Sequence, residues 1–440
     1  MATDRPAIFA VPAAAALLLW PALWNGYPIV FADTGTYLSQ AIHRYAGWDR
    51  PVFYSFFILP LHMTVTLWPA FVAQALLAAW ILWVVCRVLI SRFSRTAFVS
   101  GIMVLSAASW MPWIVSEIMP DVFTPLLILV ICLLACVPER LSPGERTGLV
   151  GLAAFMIASQ QSSLPLACGL SVALAILGAP RRAMVRRRWH LLILPPALAL
   201  LGLCTVNLAA HGRFAVSPFG NIFLLARIIY DGPGMDVLRR DCPAANWRLC
   251  PFLDSFPPTS DDFLWTKESP LNRAGGPKRV SRDADAIIRA ALVEAPVSEA
   301  RAILSNTLEQ LGRFTSGDGL TPWPMQVSPS IAQDFPAREA AAYASARQQA
   351  MILSVPRTLM QVHMVAALAG VAACVLLLPI AFFRRAPCAG FLLGVLIALP
   401  LSAAITGGLS APHERYQSRI TWLPAFIATI SLASLHRRPA

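Results

Sequence analysis

The sequence is poor in charge and nearly devoid of lysine. Charged residues make up 13% of its 440 residues, whereas soluble domains carry about 25%. Lys267 and Lys278 are the only lysines, so nearly all of the basic residues are arginines. Hydrophobic residues make up 57% of the chain, and its mean hydropathy is +0.61. This composition excludes an ordinary soluble enzyme.

Common enzyme motifs are also absent. The chain contains no GxGxxG, no Walker loop, no HExxH and no GxSxG, and no internal repeat stands out. Any chemistry therefore rests on ionisable side chains in another arrangement.

Long apolar runs recur along the chain, each near the length that a helix needs to cross a bilayer. They predict an all-α polytopic membrane protein with about ten transmembrane helices, which places both termini on one side. The predicted spans are 7–24, 70–90, 97–116, 120–137, 148–162, 163–179, 190–210, 361–383, 388–408 and 420–435.

Arginines in the loops predict the orientation of these spans. Every segment on one side is basic, as the positive-inside rule requires of the cytoplasm. The net charge of +12 is therefore assigned to topology, and no nucleic-acid partner is expected. The opposite loops are expected to face the periplasm of a bacterial inner membrane. The cytoplasmic arginines are Arg5, Arg87, Arg92, Arg95, Arg140, Arg146, Arg181, Arg182, Arg186, Arg187, Arg188, Arg384, Arg385, Arg437 and Arg438.

The apolar stretch 52–68 does not fit this pattern. Counting it as a span would place Arg87, Arg92 and Arg95 outside and reverse every later loop. We therefore expect a helix that lies in the outer interface and breaks near Pro60. An eleventh span is the alternative.

Residues 211–358 differ in composition from the rest. Proline- and glycine-rich turns such as DGPG and FPPTSDD alternate there with stretches of helical spacing. One helical stripe is formed by Ala284, Ile287, Ile288, Ala291 and Leu292. The sequence thus predicts a transmembrane core with the first outer loop (1–210), a mostly helical periplasmic insert (211–358) and C-terminal transmembrane helices (359–440).

Most of the nine cysteines lie in or beside predicted spans, where cysteine acts as a small hydrophobic residue. These are Cys86, Cys132, Cys136, Cys168, Cys204, Cys374 and Cys388. Cys242 and Cys250 lie in the insert, and in an oxidising compartment they favour a disulfide. Free thiols are the alternative, and zinc is disfavoured because no histidine lies nearby.

Three places on the outer side carry ionisable residues. Asp33 follows an apolar approach in the first outer loop, where partial desolvation would raise its basicity and suit it to general-base work. Its alternative role is the N-cap of a helix beginning near Thr34. Glu117 and Asp121 flank Pro120 between two predicted spans, where a plain polar turn is the alternative.

The third place is the outer end of the last span. It carries His413, Glu414, Arg415, Tyr416 and Arg419. Outward-facing arginines break the positive-inside trend and indicate an anionic partner. Pairing with Glu414 or with lipid headgroups is the alternative.

Four motifs in these places resemble the GT-C class of polytopic glycosyltransferases, which take sugars from polyprenyl-phosphate carriers outside the membrane. Residues 32–38, ADTGTYL, are similar to the PDSxxYL pattern of that class, and 50–55, RPVFYS, are similar to RPPLYP. Residues 117–121 resemble its ExxxPD hairpin, and Arg415-Tyr416 resembles its RY pair. Ala32 replaces the usual proline, no DE doublet follows Asp33, and the insert precedes the last three spans.

The resemblance implies an inverting sugar transfer from a polyprenyl-phosphate-linked donor to a lipid, glycan or protein acceptor, within membrane lipids. Asp33 would be the catalytic base, while Arg415, Tyr416 and Arg419 bind the departing phosphate. Further substrate-binding candidates are Arg50, Tyr54, Glu117, Asp121 and His413, with His43 beside them. Asp33, Glu117 and Asp121 are candidate oxygen ligands for a divalent metal, Mg or Mn.

Two other classes of protein compete with this interpretation. A secondary transporter would place paired charges inside spans and often show repeated halves, whereas most predicted spans lack charge. A non-catalytic membrane assembly protein would explain the insert without a role for Asp33.

Overall fold

The computed structural model describes residues 5–91, 93–177 and 189–436. It is 75% helical, and the described residues form no β-strand, which confirms the all-α prediction. A single parallel bridge joins Ile29 and Glu117. The arginines at 92, 181–188, 437 and 438, used above to orient the chain, lie outside the described residues.

The helices follow one another with short connections. The first part contains α1 (Arg5–Leu18), α2 (Trp20–Asn25), α3 (Ala32–His43), α4 (Phe53–His62), α5 (Trp68–Leu89), α6 (Arg95–Ala108), α7 (Met111–Val115), α8 (Phe123–Cys136), α9 (Pro143–Ser159), α10 (Ser163–Leu177) and α11 (His190–His211). The predicted insert contains α12 (Asn221–Tyr230), α13 (Pro233–Ala245), α14 (Ser260–Trp265), α15 (Pro270–Arg273), α16 (Pro277–Glu294), α17 (Pro296–Gly312), α18 (Pro324–Asp334) and α19 (Ala337–Ala344). The last part contains α20 (Arg357–Phe383), α21 (Ala389–Leu409), α22 (Glu414–Ser418) and α23 (Trp422–His436). Short 3-10 turns occupy Pro120–Val122, Pro138–Arg140 and Cys250–Ser255.

Five helical segments in the described part of the chain are long and apolar enough to cross a membrane. They are Trp68–Leu89, His190–His211, Arg357–Phe383, Ala389–Leu409 and Glu414–His436. Each matches a predicted span, and together they support a helical membrane protein. Of the other predicted spans, 7–24 and 97–116 are interrupted because the chain leaves the helix at Leu19 and Ser109, and 120–137 and 148–162 form helices of 14 and 17 residues. The helix in 163–179 is described as far as Leu177. The full count of ten crossings stays a prediction.

The stretch 52–68 contains one short helix. Its ten residues rise about 15 Å, roughly half of the hydrocarbon thickness of a bilayer, so α4 cannot cross alone. The predicted break near Pro60 lies two residues further on, because the helix continues past Pro60 and ends at His62. The chain turns just beyond it, where Met63 and Thr64 have positive φ angles of 43° and 55°.

Helix α8 lies at the centre of the main core. Every residue of FTPLLILVICLLAC is buried, as expected for a helix that is apolar on all sides. It packs against α5, α9, α10, α11 and α21. The 3-10 turn Pro120–Val122 leads directly into it, so Asp121 is fixed at the outer end of the core.

The predicted insert packs as two parts. Apolar residues between 219 and 291 form a core of their own, which we call the cap. The predicted stripe on α16 belongs to it, except that Leu292 is exposed. Residues 320–355 instead join the main core, with Leu320, Val327 and Ile331 buried against it. We call this second part, residues 320–355, the clamp, because it packs against the first outer loop.

Close backbone contacts hold the clamp in place. Helix α18 crosses α3 so tightly that a Cβ on Gly35 would lie 1.8 Å from the carbonyl oxygen of Gln326. The side chain of Gln348 accepts a hydrogen bond from the backbone N–H of Val30 and donates one to its carbonyl, at 3.1 and 2.7 Å. These contacts fix the segment that leads into Asp33.

Helix α17 joins the cap to the membrane helices. It packs along α21, where a Cβ on Gly407 would lie 2.6 Å from the carbonyl oxygen of Asn306. Its other end is tied to α12, because Arg227 donates a 2.7 Å hydrogen bond to Glu299 and both side chains are buried. Helix α17 therefore connects the cap to α21, beside a smaller direct contact between α12 and α21.

Cys242 and Cys250 are joined by a disulfide at the edge of the cap core, with 5.3 Å between their Cα atoms. We expect the double substitution Cys242→Ser and Cys250→Ser to lower the stability of the cap by about 2–3 kcal/mol, because the loop is then open in the unfolded chain. Limited proteolysis of the full-length protein should show faster cleavage between 211 and 295. Cys168→Ser, at an exposed free cysteine, is the control and should leave the pattern unchanged.

Candidate active site in the outer loops

A cavity of about 250 Å³ lies where the first outer loop, the turn before α8 and the turn before α23 meet. Gly220 and Phe223, at the start of α12, add the side that belongs to the cap. The predicted site residues that line it are Asp33, Arg50, Asp121, Arg415 and Tyr416. The whole lining brings together residues from five separate segments of the sequence.

Asp33 lies in the first turn of α3. The helix begins at Ala32, and Thr34 accepts the hydrogen bond from the N–H of Phe31 at its start, so Asp33 is not the N-cap. Its Oδ1 accepts a 2.8 Å hydrogen bond from Arg50. Its Oδ2 lies 3.7 Å from Nη2 of Arg415, too far for a direct hydrogen bond. The carboxylate is held between two guanidinium groups and keeps acceptor sites for a ligand.

The pKa of Asp33 differs from the expectation. Burial raises its pKa, but the charges of Arg50 and Arg415 and the hydrogen bond from Arg50 outweigh burial and leave the pKa below its usual value. The prediction that Asp33 is unusually basic is therefore wrong. The sequence shows its apolar neighbours but not its contacts with the two arginines. Asp33 is ionised at neutral pH.

Asp121 and Arg419 form a buried ion pair. Nη1 of Arg419 donates a 2.7 Å hydrogen bond to Oδ1 of Asp121, and both side chains are 1% exposed. Nε of Arg415 lies 3.9 Å from the same oxygen. Arg419 does not line the cavity, which places it behind the site. Its geometry is that of a support for Asp121 and not of a direct phosphate ligand.

Arg415 is positioned from several sides. Its guanidinium carbon lies 4.0 Å from the ring centre of Phe31, and its backbone N–H donates a 3.0 Å hydrogen bond to Asp318. Its Nη1 is buried without a hydrogen-bond partner in the part of the chain that the structure describes. Arg415 therefore presents an unused donor beside the cavity.

Four other predicted residues lie away from the cavity. Tyr54 is fully buried and donates to Gln74, because the side of α4 that it shares with Ile58 faces the core. Glu117 lies behind Asp121, and burial, together with the charge of Asp121, raises its pKa. The side chain of His413 lies 3.6 Å from Asp261 of the cap. His43 lies 3.2 Å from Asp334, outside the site.

The candidate metal ligands do not come together. No group of three His, Cys, Asp or Glu side chains among the described residues could hold a metal ion. Asp33 and Asp121 both face Arg415, which supplies positive charge between them. The arrangement does not fit a divalent metal held by Asp33, Glu117 and Asp121.

Several cavity residues were not anticipated. Asp49, Gln160, Gln161, Ser162 and Thr406 line it, and Ser162 lies 3.5 Å from Nη2 of Arg419. Three of them belong to the polar run QQSS at the junction of the predicted spans 148–162 and 163–179, which was the available signal. Phe223 had no comparable signal, since it lies in an ordinary apolar stretch of the insert.

Comparisons with protein-family models, with curated proteins and with solved structures gave no match for this chain.

Proposed function

We propose that this protein is an inverting membrane glycosyltransferase that takes its sugar from a polyprenyl-phosphate-linked donor. The protein would lie in a bacterial inner membrane with about ten crossings and its cavity facing the periplasm. The observation that carries the proposal is an ionised carboxylate, Asp33, between Arg50 and Arg415 at the wall of one cavity. A catalytic base and a residue that could bind phosphate thereby lie side by side.

The reaction needs a base and a charge partner at the same time. The acceptor hydroxyl attacks the anomeric carbon and gives its proton to the Asp33 carboxylate, while the bond from that carbon to the phosphate oxygen breaks. The electron pair stays on the phosphate, where the guanidinium of Arg415 neutralises it. The buried, unpaired Nη1 of Arg415 is the donor that such a phosphate would satisfy.

The low pKa of Asp33 agrees with this role. A general base must be ionised before the reaction, and the two arginines ensure this. The acceptor hydroxyl becomes acidic only as its oxygen bonds to the anomeric carbon, so a weakly basic carboxylate suffices late in the step. An ionised carboxylate offers about four acceptor sites, and Arg50 occupies one of them.

Binding of a polyprenyl phosphate to the purified protein in nanodiscs tests the proposal. Lysine keeps the charge but loses the planar fork of donors, so we expect Arg415→Lys to bind about tenfold more weakly and Arg415→Ala about 100-fold. The matching neutral polyprenol should bind equally to all variants. Arg313→Ala removes an outer arginine whose side chain is 45% exposed and which does not line the cavity, and it should bind like the wild type.

Two results would contradict the proposal. One is equal affinity of the wild type and Arg415→Ala for the phosphorylated lipid. The other is full function with lysine at this position, since an arginine that only anchors the helix among lipid headgroups is replaceable by any long basic side chain.

A further inference from the structure

Three aromatic side chains meet beside the cavity, from two separate parts of the chain. The ring of Trp48, in the first outer loop, stacks on Phe223 of α12 at 5.5 Å with an angle of 16° between the rings. Trp265, at the end of α14, lies 5.7 Å from Trp48 and 6.1 Å from Phe223. We call these three residues the aromatic platform.

The platform is continuous with the cavity. Phe223 lines the cavity wall, and so does Arg50. The guanidinium carbon of Arg50 lies 5.2 Å from the ring centre of Trp265, while its Nη2 bonds to Asp33. One side chain thus separates the Trp265 ring from the carboxylate that we propose as the base.

Trp265 remains 45% exposed although it has aromatic neighbours. An exposed indole beside a polar cavity is typical of a binding surface and does not stabilise a core. The neighbouring groups are hydrogen-bonding ones, since Asp49 and Gln161 also line the cavity. A flat apolar surface next to carboxylate and amide groups suits a pyranose ring, which has one face of C–H bonds and a rim of hydroxyls.

The two oxygens of Asp33 distinguish the two sides of the cavity. Oδ2 faces Arg415, where the carrier phosphate is proposed to bind, and Oδ1 faces Arg50 and hence the platform. An inverting transfer brings the acceptor to the anomeric carbon from the side opposite the leaving phosphate. The platform is therefore on the acceptor side.

We infer that the acceptor is a saccharide whose ring stacks on Trp265, and this inference rests on the proposed function. A pyranose uses both features of this surface, because its C–H face stacks on the exposed part of the indole while its hydroxyls bond to Asp49 and Gln161. Trp265 is then a specificity-determining residue, since it touches the acceptor and takes no part in proton transfer.

Saturation-transfer NMR on the full-length protein in nanodiscs tests this inference, with methyl glycosides of glucose, galactose, mannose and N-acetylglucosamine as probes. We expect at least one glycoside to receive saturation at the C–H protons of one ring face. Trp265→Ala should reduce that signal about fivefold, the effect of losing one stacking contact of about 1 kcal/mol. Trp265→Phe should retain most of it.

Tyr45→Ala provides the matched control. Tyr45 lies in the same outer loop as Trp48 and is 44% exposed, close to the 45% of Trp265. Neither side chain lines the cavity itself, but Tyr45 is not part of the aromatic platform. Thermal unfolding of each variant shows whether Trp265 acts only by docking the cap, because a merely structural role would lower stability in proportion to the lost signal.

Each outcome decides the inference. An unchanged signal in Trp265→Ala, a loss explained by unfolding, or no saturation of any glycoside by the wild type would overturn it. If polyprenyl phosphate binds through Arg415 but the saturation of the glycosides does not depend on Trp265, the saccharide acceptor is contradicted and the proposed transferase is not. If the saturation of the glycosides requires Trp265 and no polyprenyl phosphate binds, the proposed transferase is contradicted and the saccharide site is supported.

Discussion

Asp121→Ala is expected to destabilise the protein by about 3–5 kcal/mol, because the guanidinium of Arg419 would stay buried without its partner. Each side chain of this pair is 1% exposed, and Asp121 is the only carboxylate that pairs with Arg419 among the described residues. Thermal unfolding of the purified protein in detergent, followed by exposure of buried cysteines, measures the effect. The protein should also accumulate at lower levels in membranes.

Two further variants make this expectation specific. The double substitution Asp121→Leu and Arg419→Met removes both charges and should recover much of the lost stability, since buried ion pairs are often replaceable by apolar side chains. Glu309→Ala breaks the exposed pair with Arg313 and should cost less than about 1 kcal/mol. A small effect of Asp121→Ala would show that Arg419 finds another partner and that the pair does not hold the outer loops together.

Asp33→Asn is expected to lower sugar transfer by a factor of about 100 or more, because the amide cannot take the proton from the acceptor hydroxyl. Stability should change little, since Asp33 and Arg50 are partly exposed and asparagine still accepts a hydrogen bond from Arg50. Release of polyprenyl phosphate from a polyprenyl-phosphate-linked sugar by membranes containing the protein provides the assay.

Asp334→Asn is the control for this experiment. Asp334 pairs with His43 near the same outer surface but does not line the cavity, so its amide variant should transfer sugar like the wild type. Substantial activity of Asp33→Asn would remove the base from the proposed mechanism and leave Asp33 as a partner that orients Arg50 and Arg415.

The sequence predicted the long apolar helices and the charged part of the cavity lining because both depend on local properties. Apolar length predicted the five long helices, and loop charge placed Asp33, Asp121 and Arg415 on one side before their contacts were known. The resemblance to GT-C enzymes added Arg50, which reaches both Asp33 and Trp265.

The remaining features depend on contacts between distant residues. The low pKa of Asp33 depends on Arg50 and also on Arg415, which lies 382 positions further along the chain, and no local pattern shows that the two side chains are close in space. Tyr54 was assigned to the site because a motif contains it, whereas the packing of α4 turns it into the core. Likewise, nothing in the sequence around Gly35 indicated that the carbonyl group of Gln326 packs against it.

The contact between α17 and α21 links the cavity to the bilayer. Glycine at position 407 lets the two helices touch backbone to backbone, and the Arg227–Glu299 pair passes any displacement of α17 on to α12, which carries Phe223. Membrane helices tilt to match the thickness of the surrounding lipid. Because α21 is long and apolar enough to cross a membrane, we expect a change in its tilt to move the cavity wall formed by Phe223 and so to change the width of the cavity.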